Sequence, residues 1–135
     1  LLPTDVVVAK ELKVNAESFV VPINECPKSS MILDVGPQTV ERIKESLLNT
    51  ETLIWNGPLG AFEIRPFDRA TSELANFVSK LSYNNKLVSV AGGGDTLAAL
   101  KNAEASYGFS YLSAAGGAFL EWMEGKKLPG ITALQ

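Results

Sequence analysis

A chain of 135 residues with 46% hydrophobic and 20% charged residues has the composition of one soluble globular domain, which excludes disorder and collagen-like repeats. Twelve basic against fifteen acidic residues give a net charge of −3 with no Lys/Arg cluster, so the electrostatic footprint of a nucleic-acid or anionic-membrane binder is missing. No histidine is present, which excludes a Ser-His-Asp triad and His-ligated metal within this sequence, and a single Cys26 excludes an internal disulfide or a cysteine zinc cluster.

Cys26 reads as a small buried hydrophobe or a bystander thiol rather than a reactive group. No apolar run approaches a membrane span and no charged-then-apolar leader opens the sequence, so the expectation is a soluble, cytoplasmic protein. The opening Leu1-Leu2-Pro3-Thr4-Asp5 lacks an initial Met and reads as a piece of something longer.

In chain order, Val6 to Ala9 and Ser18 to Ile23 predict two short strands, the second bounded by Pro22 and Pro27. Met31 to Asp34 predicts a third, ended by Gly36-Pro37. A helix follows, because Pro37 suits a first turn and Val40, Ile43, Leu47 and Leu48 recur at spacings of three and four. Leu53-Ile54-Trp55 predicts the next strand. The clearest helix carries Phe67, Ala70, Leu74, Phe77, Val78 and Leu81 on one stripe, with Asp68, Arg69, Glu73 and Lys80 off it.

Lys86 to Val90 predicts a strand running into Gly92-Gly93-Gly94, after which Asp95-Thr96 opens a helix to about Ala105. Phe109 to Leu112 predicts a last strand, followed by Gly116-Gly117 and a helix from about Ala118 to Glu124 that Gly125 caps. The strand–helix alternation from residue 31 onward is the pattern of an α/β fold with a parallel sheet and flanking helices. The two strands before it, with no helix between them, predict a short antiparallel β appendage near the N-terminus.

Gly57, Gly60, Gly92, Gly93, Gly94, Gly116 and Gly117 all fall just after predicted strands. In a parallel sheet such junctions share the carboxyl edge, where open α/β sheets bind ligands. Glycine permits close backbone approach there, and helix N-termini offer unpaired N–H groups, so the inferred ligand is anionic and phosphorylated. Neither G-x-x-x-x-G-K-[ST] nor G-x-G-x-x-G occurs, which excludes a Walker loop and the usual dinucleotide fingerprint.

Each polar candidate has two readings. Asp95 is either the N-cap of its helix or a carboxylate that holds Mg²⁺ against phosphates. Thr96 is a first-turn residue or a phosphate donor, Glu63 a solvated loop charge or an acceptor for ribose hydroxyls, and Asn56 a turn residue or a ligand contact. Trp55, Phe62, Phe119 and Trp122 read as core.

Trp55-Asn56-Gly57-Pro58-Leu59-Gly60-Ala61-Phe62-Glu63 resembles the W-N-G-P-x-G-x-F-E segment of phosphoglycerate kinases, and Gly92-Gly93-Gly94-Asp95-Thr96 is similar to their G-G-G-D-T. Gly116-Gly117-Ala118, Leu120-Glu121 and Glu124 to Gly130 resemble their C-terminal stretch. Leu2-Pro3-Thr4-Asp5 and Leu33-Asp34-Val35-Gly36-Pro37 also fall in family order. The similarity runs through the whole chain but covers only about the last third of the family's polypeptide.

The resemblance implies a Rossmann-like, incomplete nucleotide-binding C-terminal domain spanning residues 1–135 as a single unit. It implies an enzyme that moves a phosphoryl group between Mg-ATP and the carboxylate of 3-phosphoglycerate, with 1,3-bisphosphoglycerate and ADP as the other pair, in a monomeric parent protein. Asn56, Pro58 and Ala61 would line the nucleotide site and Glu63 would bind the ribose. Gly93, Gly94, Asp95 and Thr96 would meet the phosphates, with Asp95 on Mg²⁺, and Gly94, Gly116 and Gly117 would hold the group in transfer.

Two departures stand out. The family's S-T-G-G-G-A-S reads Ser113-Ala114-Ala115-Gly116-Gly117-Ala118-Phe119, and alanine at 115 would be strained by about 1–2 kcal/mol if the backbone there needs a positive φ. Ala70 stands where the family usually has glycine. None of the twelve Lys/Arg residues lies within the glycine clusters, so a triphosphate would face only helix ends and magnesium. The expectation is a chain inactive by itself that binds Mg-ADP weakly and self-associates through an unpaired sheet edge. On the residues alone, two alternatives stay open: another phosphate-ligand-binding α/β protein, or a non-catalytic α/β remnant.

Overall fold

The computed structural model describes residues 1–133, which form two three-stranded sheets joined by helices. The first sheet is antiparallel and contains β1 (Asp5–Ala9), β2 (Ser18–Pro22) and β3 (Met31–Val35) in the order β2-β1-β3. The second is parallel and contains β4 (Thr52–Asn56), β5 (Val88–Gly92) and β6 (Tyr111–Ser113) in that order. Helix α1 (Pro37–Leu47) links the two sheets, α2 (Arg69–Tyr83) and α3 (Gly94–Asn102) form the crossovers of the parallel one, and α4 (Gly116–Met123) and α5 (Pro129–Thr132) close the described chain.

The α/β class with its antiparallel appendage is as expected, but the appendage is larger by one strand. Residues 31 to 35 pair with β1 rather than entering the parallel sheet. Local pattern cannot distinguish the two, because pairing is a long-range choice. The other boundaries shift by a few residues: β5 lies at 88–92, α3 ends at Asn102, β6 lies at 111–113, and Gly116 and Gly117 form the first turn of α4 rather than preceding it. Asp95 is not an N-cap: Gly93 holds that position, and Asp95 sits inside the first turn of α3. Gly125, at φ +77°, follows α4 as a capping glycine should.

The core lies on one face of the parallel sheet. Val40 and Leu47 of α1, Leu74 and Val78 of α2 and Leu100 of α3 pack there against Ala91, with Leu53, Trp55 and Leu112 beneath them. Fully buried side chains such as Leu74 and Leu100 each contribute roughly 1.5–3 kcal/mol through removal of apolar surface from water. Leu48 and Trp122, read from the sequence as interior, point outward instead. Ile54, Val90 and Tyr111 stand in register across the opposite face, beside Val88. Helix α4 reaches only its carboxyl end, where Phe119 meets Tyr111 and Gly92.

Both β1 and β3 present a buried carboxylate to a helix start. Asp5 accepts the backbone N–H groups of Gln38 and Thr39 in the first turn of α1, at 3.0 and 2.7 Å, and the Thr39 hydroxyl at 2.7 Å. Asp34 accepts the Ala70 N–H of α2 at 3.0 Å. Neither helix has a side-chain cap from its own N-cap residue, so the antiparallel sheet supplies the caps.

Candidate functional site

Because β4, β5 and β6 are parallel and adjacent, the turns that leave them share one rim of the sheet. The β5–α3 turn is the centre of that rim. Gly93 holds φ +99°, a backbone state that L side chains rarely adopt, and so turns the strand directly into the helix. The Asn56 Oδ1 atom faces it, 3.2 Å from where a β carbon would stand. On the other side Gly116 comes so close that its own β carbon would lie 2.8 Å from Gly93 Cα.

The β4 turn is fastened to α3 by Thr96, whose buried hydroxyl accepts the Gly57 N–H at 2.7 Å, while Trp55 Nε1 donates to the Gly57 carbonyl at 2.7 Å. No side chain caps α3 or α4. Their first-turn N–H groups, which have no partner within the helix, are therefore left without a side-chain acceptor on a rim that also carries the positive ends of two helix dipoles. Gly94, Asp95 and Gly117 are exposed there. Ala115 has φ −88°, so the glycine lost from the family pattern leaves no strain at that position.

The loop after Gly57 turns away toward the antiparallel sheet. Leu59 N–H donates to Thr71 Oγ1 at 3.0 Å, and Ala61 N–H donates to the Leu33 carbonyl at 2.9 Å. Pro58, Gly60 and Ala61 thereby line an apolar cavity of about 290 Å³ with Ile32, Leu33 and Asp34 of β3. Sequence reasoning did not find the β3 residues, because nothing in their local pattern says which loop they face. Glu63 lies exposed in the turn that follows. Burial pushes the Asp34 carboxyl up to about 6, against the pull of the Ala70 and Val35 N–H groups, and the nearby Asp68 charge adds to the rise.

The family model for phosphoglycerate kinase matches residues 1–126. The chain belongs to the phosphoglycerate kinase family. It is 58% identical over 135 residues to the phosphoglycerate kinase of Chelativorans sp. (strain BNC1) and 59% identical over 133 residues to that of Cereibacter sphaeroides (strain ATCC 17029 / ATH 2.4.9). These alignments take in 100% and 98% of this chain but 34% of each relative, so the chain spans about a third of the length of the curated phosphoglycerate kinases it matches. The fold agrees with the phosphoglycerate kinase structure from Coxiella burnetii at a TM-score of 0.89 and 44% identity, covering 100% of this chain and 34% of that one. With the structure from Pyrococcus horikoshii OT3 the TM-score is 0.78 at 28% identity, over 98% and 32% of the two chains.

Among the described residues no group of three or more Cys, Asp or Glu side chains is placed to hold a metal ion. An exposed, lone Asp95 beside uncapped helix N-termini fits a Mg²⁺ ion that arrives on phosphates, since magnesium is commonly held by one or two carboxylates plus substrate oxygens. It does not make a resident metal centre. No helix among the described residues is long and apolar enough to cross a membrane.

Proposed function

We propose that this chain is the nucleotide-holding portion of a phosphoglycerate kinase, which transfers a phosphoryl group between Mg-ATP and the carboxylate of 3-phosphoglycerate in the cytoplasm. The observation that carries the reading is the backbone approach of Gly116 to Gly93, which brings the uncapped starts of α3 and α4 together. Amides of Gly93, Gly94, Asp95 and Thr96 on one side, and of Gly116 and Gly117 on the other, would bind phosphate oxygens. Asp95 would orient magnesium, which neutralises charge on the phosphates when bound. Asn56 would contact the same ligand. The apolar cavity beside Pro58 and Ala61 suits a planar base, with Glu63 taking the ribose hydroxyls.

In the transfer, an ionised carboxylate oxygen of the acceptor attacks the γ-phosphorus, the bond to the bridging oxygen breaks, and ADP leaves with that electron pair. The acceptor carries no proton at neutral pH, so a site without histidine is chemically sufficient. The protein's part is positioning and charge stabilisation. This chain has no cationic side chain within its glycine clusters, and it therefore binds Mg-ADP weakly and turns nothing over alone.

Calorimetric titration with Mg-ADP and a coupled assay with 3-phosphoglycerate test this directly. Saturable binding weaker than micromolar, without turnover, is expected. No binding at any concentration overturns the nucleotide reading, while submicromolar affinity or sustained turnover overturns the claim that helix starts and magnesium alone are insufficient for tight binding and transfer.

A further inference from the structure

We propose that Asp34 is a positioning residue for the nucleotide loop: its carboxylate joins β3, the Leu59–Ala61 segment and the first turn of α2 into one unit whose geometry sets nucleotide affinity. The inference rests on the nucleotide reading above and adds to it a residue that acts through the loop.

Asp34 is 2% exposed and stands between two cavities. Its Oδ2 accepts the Ala70 N–H at 3.0 Å, and its Oδ1 accepts the Val35 N–H at 2.9 Å. Gly60 rests against the same carboxylate so closely that a β carbon would overlap it. The flanking bonds, Ala61 N–H to the Leu33 carbonyl and Leu59 N–H to Thr71 Oγ1, lead to the strand that carries Asp34 and to the helix that it caps. The segment is thus held at three points, and all three depend on how β3 and α2 are locked together. Removing the carboxylate orphans the buried Ala70 N–H and takes away the wall behind Gly60. A ligand site displaced by even about 1 Å binds poorly, which is why such a wall matters.

The charged groups around Asp34 are three acidic and three basic, and of these the Asp68 carboxylate is the one that acts on it. Asp68 precedes α2 and is paired with Arg65 at 3.5 Å. Arg69 and Glu73 line the smaller cavity with Asp34, and Glu73 is held by Lys44 of α1 at 2.6 Å. On β1, Asp5 is engaged by α1. Burial, with the Asp68 charge adding to it, raises the carboxyl to about 6, within reach of mild acid. Both oxygens face N–H donors, so a proton enters at the expense of one of those bonds. Acid therefore relieves the burial penalty and stabilises the fold, while it loosens the loop and weakens nucleotide binding. A residue with a purely structural role would move both quantities in the same direction.

The test is an NMR titration of the ¹⁵N-labelled chain from about pH 7.5 to about pH 5, with Mg-ADP added at each end, on the unaltered protein and on Asp34→Asn. The Gly60, Ala61 and Ala70 amides should titrate together, with a midpoint near 6. Affinity of the unaltered chain should fall by at least about fivefold more than that of Asp34→Asn, the ligand's own protonation being common to both. Asp34→Asn should bind weakly at both ends. Gly60 and Ala61 amides that ignore the Ala70 transition overturn the proposal, as does an Asp34→Asn protein that keeps the full affinity and pH slope. Should Asp34→Asn not fold, the amide titration and pH slope of the unaltered chain decide alone, and a flat slope overturns the proposal. Absence of Mg-ADP binding at every pH overturns the nucleotide reading and the affinity half of the proposal, whereas the three amides still decide the coupling.

Discussion

Gly93 and Gly116 meet backbone to backbone, with room for no β carbon on Gly116: one placed there would stand 2.8 Å from Gly93 Cα. Gly117, one residue on, has nothing within 4 Å of the same position. Gly116→Ala should therefore destabilise the chain by about 1–3 kcal/mol through overpacking, and should weaken Mg-ADP binding further by separating two helix starts. Gly117→Ala should leave stability unchanged. Urea denaturation and calorimetry check both, and equal effects at the two positions would contradict the packing described.

Asp95 sits in the first turn of α3, exposed and capping nothing. Its carboxylate gains only the helix-dipole interaction, so Asp95→Asn should lower stability by at most about 1 kcal/mol. The same substitution should abolish the difference between ADP binding with and without magnesium. If that magnesium dependence survives in Asp95→Asn, the carboxylate is not the group that orients the ion.

Acid should act on the two buried carboxylates with opposite signs. The Asp34 carboxyl, raised to about 6 in the folded chain from the ordinary 3.8, keeps a proton that the unfolded chain has released. Its contribution to stability is full below about 3.8 and is lost as pH rises through 6, on the order of 3 kcal/mol. Asp5 behaves conversely. Burial pushes its carboxyl up, but the Thr39 hydroxyl and the Gln38 and Thr39 N–H groups outweigh that and hold it below the ordinary value. Its contribution is present above about 3.8 and is lost as pH falls further. Stability measured by urea should climb from neutrality toward about pH 4 and then fall in stronger acid. Asp34→Asn should remove the climb and Asp5→Asn should blunt the fall; unchanged profiles would exclude these assignments.

Ile54, Val90 and Tyr111 line up across a sheet face that α4 covers only at one end. Parallel sheets are ordinarily buried on both faces, and β4 is an edge strand among the described residues. The isolated chain should associate with itself as concentration rises, and the double substitution Ile54→Lys with Val88→Lys should suppress this. Sedimentation velocity distinguishes the outcomes, and a monomer at every concentration would refute the expectation.

What the sequence determined by itself was local and chemical. Strand–helix alternation, the stripe on α2 and the glycine junctions after three strands follow from periodicity and backbone freedom, which are properties of neighbouring residues. The motifs around Asn56, Gly93 and Gly116 were enough to indicate the family that the comparison with known proteins shows. Only the tertiary structure decided that residues 31 to 35 join the antiparallel sheet, that Thr96 holds the Gly57 turn, and that Asp34 stands behind Gly60 and caps α2. These are contacts between residues far apart in the chain. Their energy depends on which surfaces exclude water together, and no local pattern of residues records that choice.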